Sequence, residues 1–345
     1  MGFVPEVGVT STVAVTAAIA LFATTLTLNW PRVRAALLEL ALPKPNSSLL
    51  PASQPLDVPA TDEVREPGVV YLHTPYLRSW GFPNASPFST KLETFLRMTN
   101  IKYRTIRGFN LNSAPKKKYP FIELDGARIG DSDLIIQLLV ARFPLCGCSD
   151  SHLSPSEKAT AFAFDRMICE SFNFVTGYSR NYENFDYTLA AYTYGDVASL
   201  ATPPPPRTLL QSLFAAIITR TIKKRTFAKL QAQGLGVHSR DEIYAIGNRC
   251  LQAVSDFLGD KEFLMGSTPS QVDASIFGIL TSTLWIPVEF PCKTYAYENC
   301  PNLHKYLIRM RDRFYKDTLA DTPWYVGGAL AAKMELEPAT TTDEK

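Results

Sequence analysis

The apolar positions of the chain change period several times before residue 148. Val69-Val70-Tyr71-Leu72 is a short β-rich run. Over residues 87–99, Phe88, Leu92, Phe95, Leu96 and Thr99 recur at helical spacing. Residues 102–106 alternate and predict a second strand. The runs 121–124 and 127–130 flank Asp125-Gly126, a dipeptide suited to a two-residue hairpin turn. Residues 131–142 return to the helical period, with Leu134, Ile135, Leu138 and Leu139 expected on one face. The predicted order is strand, helix, strand, then a hairpin and a helix.

Past Cys148 the strand signals nearly stop. Ser154-Pro155-Ser156-Glu157 opens a helix running through Ala163 and Met167 into Phe172, with Ser154 as N-cap and Pro155 at the first position. The prolines at 203–206 exclude helix and mark a loop. Ile243, Ile246, Cys250, Leu251, Val254, Phe257 and Leu258 form one amphipathic stripe, and Leu303, Tyr306, Leu307, Met310 and Phe314 form another. Residues 274–286 are apolar almost all round, which places that helix at the centre of a bundle, capped by Ser270-Gln271-Val272-Asp273. The expected fold is an α/β thioredoxin-like domain over residues 68–148, an all-α helical domain over 149–330, and a disordered tail over 331–345.

Ahead of the folded part, residues 7–28 carry no charge over 22 positions, long enough to span a bilayer. Glu6 is the one charge before this run, so a cleaved signal peptide, which wants a basic start, is the weaker reading. Residues 1–30 are therefore expected to be a single transmembrane helix and membrane anchor. Arg32, Arg34 and Lys44 follow it, which puts the folded domain in the cytosol. Residues 43–67 contain six prolines and no apolar periodicity, so 31–67 is read as a proline-rich linker. The sequons at Asn46 and Asn84 supply a test, since a lumenal domain would be open to glycosylation there.

A net charge of +2 from 35 basic and 33 acidic side chains argues against nucleic acid as a partner. The six cysteines include Cys146-x-Cys148 but no CxxC, and the four histidines form no HxxH or HExxH, so no metal site is expected. Arg220, Lys223, Lys224, Arg225 and Lys229 form a basic stripe, read as a solvated helix face before anionic-lipid contact.

Three features carry chemistry. Ser86 directly precedes Pro87 and is expected to cap the first helix, beside unpaired backbone N–H groups that favour an anion such as a thiolate. Tyr119-Pro120 precedes a strand and suits a cis bond that offers backbone to an extended peptide ligand. Asp131-Ser132 opens a helix after the hairpin, so that Ser132 can serve a carboxylate and Asp131 an ammonium group. A plain cap or edge proline explains each one separately. Their succession at these intervals is harder to explain that way.

The run Ser86-Pro87-Phe88-Ser89-x-Lys91-Leu92-Glu93-Thr94-Phe95-Leu96-Arg97-Met98, then Lys118-x-Pro120-Phe121-Ile122-Glu123-Leu124-x-Gly126, then Asp131-Ser132, resembles the failed axon connections and metaxin-like branch of the glutathione transferase superfamily. Gln233-Gly234-Leu235-Gly236 and Val272-Asp273-Ala274 are similar to that branch as well. The resemblance implies glutathione as co-substrate, with Ser86 catalytic, Ser89, Tyr119, Pro120, Asp131 and Ser132 binding glutathione, and no metal. It further implies a small hydrophobic electrophile held between the domains, and a homodimer. Ser86 stands where redox relatives place cysteine, so thiol-disulfide exchange at this position is excluded. Two departures go with it: the loop 73–85, with Tyr76, Arg78 and Trp80, is longer than usual, and the second helix, between Gly108 and Tyr119, is shortened, leaving Lys116, Lys117 and Lys118 in its place. The alternative expectation is a non-catalytic interaction or transport protein that keeps the fold.

Overall fold

The computed structural model describes residues 65–75, 83–108, 111, 113–143, 150–186, 188, 209–286 and 288–319, all within one compact unit. The expected anchor at 1–30, most of the linker, Tyr76, Arg78, Trp80, the prolines at 203–206 and the tail lie outside them. Among the described residues no helix is long and apolar enough to cross a membrane.

Four strands make one sheet in the order β2-β1-β3-β4, with β1 at Val70–Pro75, β2 at Tyr103–Gly108, β3 at Phe121–Leu124 and β4 at Ala127–Gly130. β1 runs parallel to β2 and antiparallel to β3. Helix α1, Pro87–Met98, makes the crossover between the parallel pair. The hairpin forms where the turn chemistry predicts it: Asp125 at φ 48° and Gly126 at φ 81° both take the left-handed conformation that a two-residue I′ turn requires. Leu124 therefore faces Ala127 and Phe121 faces Gly130.

Val70, Leu72, Ile122 and Leu124 of the sheet share a core with Leu92, Phe95 and Leu96 of α1, each buried. Fully burying side chains of this size contributes about 1.5–3 kcal/mol apiece. α1 is buried well beyond that stripe, because helix α7 of the second domain, Gln271–Leu284, lies along it. The close approach needs Gly278: a Cβ there would meet the Pro87 carbonyl oxygen and the Lys91 nitrogen at 2.6 Å.

Helix α2, Ser132–Arg142, departs from expectation. Ile135, Ile136 and Leu139 are buried, whereas Leu134 and Leu138 are 48% and 39% exposed. Positions 134/138 and 135/139 are neighbouring stripes of one helix, and periodicity alone does not say which the core accepts.

The described residues of the second domain form helices and the turns between them, with one isolated β-bridge between Phe263 and Gly266. α3, Pro155–Arg166, starts at the predicted capping box of Ser154 and Glu157. The run then continues not as uniform α-helix but through a π segment, Met167–Phe172, then α4, Asn173–Tyr178, and a second π segment, Ser179–Glu183. Each π turn rotates the following face about the axis. α5 is Leu209–Gln233, α6 Arg240–Leu258, α7 Gln271–Leu284, α8 Pro291–Asn299 and α9 Pro301–Phe314, ahead of the short α10, Lys316–Leu319. α7 is the predicted central helix, buried from Val272 to Leu284. Its N-terminus is held by Asp273, which accepts from Ser270 N–H, the Ser270 hydroxyl and Tyr306 OH at 2.7–2.8 Å.

Candidate functional site

Strand register collects the sequence-predicted residues at one end of the sheet. His73 pairs with Phe121 and Phe121 with Gly130, so Tyr119-Pro120 and Asp131-Ser132 flank adjacent strand ends. β1 ends beside them at Pro75, from which the chain returns to start α1 at Pro87. Ligands commonly bind α/β sheets at such strand ends, next to helix N-termini.

Ser86 occupies the N-cap position of α1, but its side chain makes no capping bond. Its hydroxyl instead accepts a hydrogen bond from Ser89 Oγ at 3.0 Å. Ser89 is fully buried and Ser86 half-buried, so the pair leads from the core outwards. A hydroxyl that accepts in this way keeps its own proton to donate, and the incoming bond polarises it.

The segment before Ser86 is tightly held, by residues that sequence reading passed over. Asn84 accepts from Ser86 N–H at 2.8 Å, donates from Nδ2 to the Pro75 carbonyl at 2.9 Å, and accepts from Thr90 Oγ1 at its own carbonyl at 2.6 Å. Asn84 is 2% exposed. A glycan on its amide nitrogen is incompatible with this fold, so of the two sequons only Asn46 can report on topology. That correction rests on burial, which a sequon does not reveal.

The Tyr119–Pro120 bond is cis, as expected. Tyr119 stacks on Phe121 with ring centroids 5.9 Å apart, and Phe121 stacks on His73 at 4.2 Å. Burial pushes the Tyr119 phenol up to about 12, so it stays protonated at neutral pH. Among the described residues between β2 and β3 there is no helix, which agrees with the shortened second helix read from sequence.

Asp131 adopts φ 88° and caps α2, accepting from Asp133 N–H at 3.1 Å and Leu134 N–H at 3.3 Å through one carboxylate oxygen. Its other oxygen lies 3.9 Å from Lys116 Nζ. The expected role of receiving an ammonium group is therefore narrowed, because half the carboxylate serves the helix and a lysine stands near the rest. Ser132 sits at the first helical position, 8% exposed, where the positive end of the helix favours an anion.

One residue beyond Ser132 begins a partly buried charge cluster with no sequence signature. Lys91, 2% exposed, donates to Asp133 at 2.5 Å and Asp165 at 3.0 Å, with Cys169 Sγ at 3.8 Å. Arg166 bridges Asp133 and Asp165, and Ser275 of α7 donates to Asp165. Burial opposes the Lys91 charge, but the groups around it, at neutral pH the two carboxylates, hold its pKa above the ordinary lysine value. Burial likewise opposes the Asp165 charge, and Lys91, Ser275 and Arg166 outweigh it to hold that carboxyl low. Burial pushes the Cys169 thiol up to about 12, which makes it unreactive at neutral pH. A cavity of about 480 Å³ opens beside the cluster, lined by Lys91, Asp133, Phe162, Arg166, Gln271 and Ser275 among others. It does not include Ser86, Tyr119 or Ser132, so this cleft and the predicted constellation are neighbours rather than one site. Among the described residues no group of side chains is arranged to hold a metal ion.

Comparison with known proteins agrees with this geometry. The profile of the glutathione S-transferase N-terminal domain matches residues 87–186, and that of the glutathione S-transferase C-terminal domain matches residues 247–310. Failed axon connections of Drosophila melanogaster is 30% identical over 280 residues, which is 81% of this chain and 65% of that protein. Isoprene-epoxide–glutathione S-transferase of a Rhodococcus strain is 30% identical over 243 residues, covering 69% of this chain and 97% of that enzyme. Human metaxin-2 is 22% identical over 237 residues, 66% of this chain and 82% of that protein.

Proposed function

The chain belongs to the glutathione S-transferase family, and from that premise we propose that it binds glutathione at the strand ends and joins it to a small hydrophobic electrophile. The observation that carries this reading is the hydroxyl pair at the start of α1, where Ser89 donates to Ser86 and leaves the Ser86 proton for a ligand. A thiol bound there meets a hydroxyl donor and a helix N-terminus, both of which favour the thiolate. The thiol proton leaves to solvent. The sulfur lone pair then forms the bond to the electrophilic carbon as that carbon's bond to its leaving atom breaks. In this reading Tyr119 offers backbone to the cysteinyl unit, beside Pro120, and Ser132 with the open side of Asp131 holds the γ-glutamyl end. The Rhodococcus relative, whose name pairs glutathione with an epoxide, supports the choice of co-substrate and of an electrophilic partner.

Calorimetric titration of the full chain with glutathione tests the premise. Binding is expected, and Ser132→Ala should weaken it about ten- to hundredfold, the loss of one hydrogen bond to a charged group. No binding by the wild-type chain would overturn the reading.

A second reading, a non-catalytic interaction or transport protein, is favoured by the missing helix between β2 and β3 among the described residues and by the Lys116–Asp131 approach. The failed axon connections and metaxin-2 relatives are compatible with it. We also propose that residues 7–28 tether the folded part to a membrane on its cytosolic side, supported by the uncharged run and the basic residues behind it. Expressed in a cell that glycosylates secreted proteins, the chain should carry no glycan at Asn46; one found there would reverse the orientation.

A further inference from the structure

We propose that Arg180 is a positioning residue for the Ser86 hydroxyl, reaching across from the helical domain to fix the peptide that precedes it. The inference deepens the reading of Ser86 as the thiol-facing group and rests on it.

Arg180 lies in the second π segment, Ser179–Glu183, and is 7% exposed. Its guanidinium donates from Nη1 to the Ser282 carbonyl at 2.9 Å, in the last turn of α7, and from Nη2 to the Ala85 carbonyl at 3.0 Å. The Ala85 carbonyl belongs to the same peptide unit as the Ser86 N–H, and that N–H donates to Asn84 Oδ1 at 2.8 Å. The peptide is thus held at its oxygen by the helical domain and at its nitrogen by the thioredoxin-like half. Asn84 is itself tied to Pro75 at the end of β1 and to Thr90 on α1. With the 85–86 peptide fixed on one side and α1 and the Ser89 hydrogen bond on the other, the range of directions open to the Ser86 hydroxyl is narrowed.

The residue type fits this task. A planar guanidinium offers donors in a rigid fork, and here two of them span two carbonyls on different elements, which a lysine ammonium on a flexible stem reproduces poorly. Burial pushes the Arg180 pKa down to about 10, still well above neutrality, so the group is a buried cation at physiological pH. Burying a charge is costly, and an apolar side chain could fill an interior of this kind, so packing alone does not account for arginine. The π segment also has a reason here: the extra residue in the turn alters the facing of Ser179–Glu183 relative to a regular helix and sets Arg180 towards the Ala85 loop.

The test is a double-mutant cycle in the full chain, following conjugation of glutathione to an aryl halide. Arg180→Met should lower kcat about ten- to hundredfold, the range expected when a reacting group is misplaced, while the KM for glutathione changes less than about threefold. Arg180→Lys should recover part of the loss. In a Ser86→Ala background, Arg180→Met should cause no further loss, because a residue that acts through Ser86 has nothing left to position. Equal losses in both backgrounds would overturn the proposal. If the wild-type chain conjugates nothing, the transferase reading falls by itself, and amide hydrogen exchange decides the inference. Arg180→Met, or Arg180→Lys should the methionine variant not fold, must then speed exchange of the Ser86 and Thr90 amides while those of α6 are unchanged. Unaltered exchange at Ser86 and Thr90 would overturn it.

Discussion

Ser89 and Lys91 stand two positions apart on α1, both buried, and they lead into opposite kinds of polar site. Ser89 hands a hydrogen bond to Ser86 and stops there, leaving a half-buried hydroxyl with its proton available. Lys91 enters a cluster in which each charge already has a partner of opposite sign: two carboxylates, one arginine and a serine shared among α1, α2, α3 and α7. Closed networks of this kind hold domains together, whereas an open donor at a helix N-terminus is the arrangement that recognises a ligand. The difference separates residues that keep the fold from residues that could carry chemistry, although Ser89 and Lys91 are both polar, buried and close in sequence.

The largest expected effect comes from breaking the closed side. Lys91→Met removes the cation between two carboxylates and should lower stability by about 3–5 kcal/mol, the range for breaking a buried pair by deleting one member. Denaturant melts measure it, and a loss under about 1 kcal/mol would show that Arg166 alone carries the two acids. On the open side, Ser86→Ala should lower kcat ten- to hundredfold, or about 1.4–2.7 kcal/mol of transition-state stabilisation. The same change should lower stability by about 1–3 kcal/mol, less than Lys91→Met, because it leaves the buried Ser89 hydroxyl without its acceptor although it removes no helix cap. An unchanged rate with stability lowered as far as in Lys91→Met would reverse the assignment of the two sides.

The smallest effect is in acid. Asp165 is held below the ordinary carboxylate range despite its burial, by Lys91, Ser275 and Arg166. The unfolded chain therefore takes up this proton more readily than the folded one. The stabilisation is present above about pH 4 and is lost as pH falls through the lower folded value. In the Lys91→Met variant the Asp165 pKa rises, so its share of the acid loss should begin at higher pH. Comparing the slope of stability against pH for the two proteins between about pH 2 and 5 would show it. Parallel slopes would mean that Lys91 and Asp165 are not coupled.

Much of the frame was legible from local signals. Asp125-Gly126 set the hairpin and its register, Ser154 and Glu157 set the start of α3, and the all-round apolar run placed α7 at the centre. Where two local readings competed, the sequence could not decide between them. Leu134 and Leu138 were as apolar as Ile135 and Leu139, yet the sheet and α1 accept the second pair. Ser86 was correctly placed at the helix start, but a cap position does not imply a capping bond, and its hydroxyl pairs with Ser89 instead.

Arg180 and Lys91, which sequence reading missed, share a property: their partners are distant along the chain. Arg180 bonds to groups 95 and 102 positions away, and Lys91 to acids 42 and 74 positions away. Nothing in the residues around Arg180 or Lys91 distinguishes them from surface cations. By itself the sequence determined what neighbouring residues decide among themselves: the period of each element, its caps, its turns, and the family resemblance written in residues 86–132. The tertiary structure decided which polar groups are closed off and which are left open. That depends on burial and on partners brought together by folding, and a buried charge or hydroxyl takes its role from the groups that surround it.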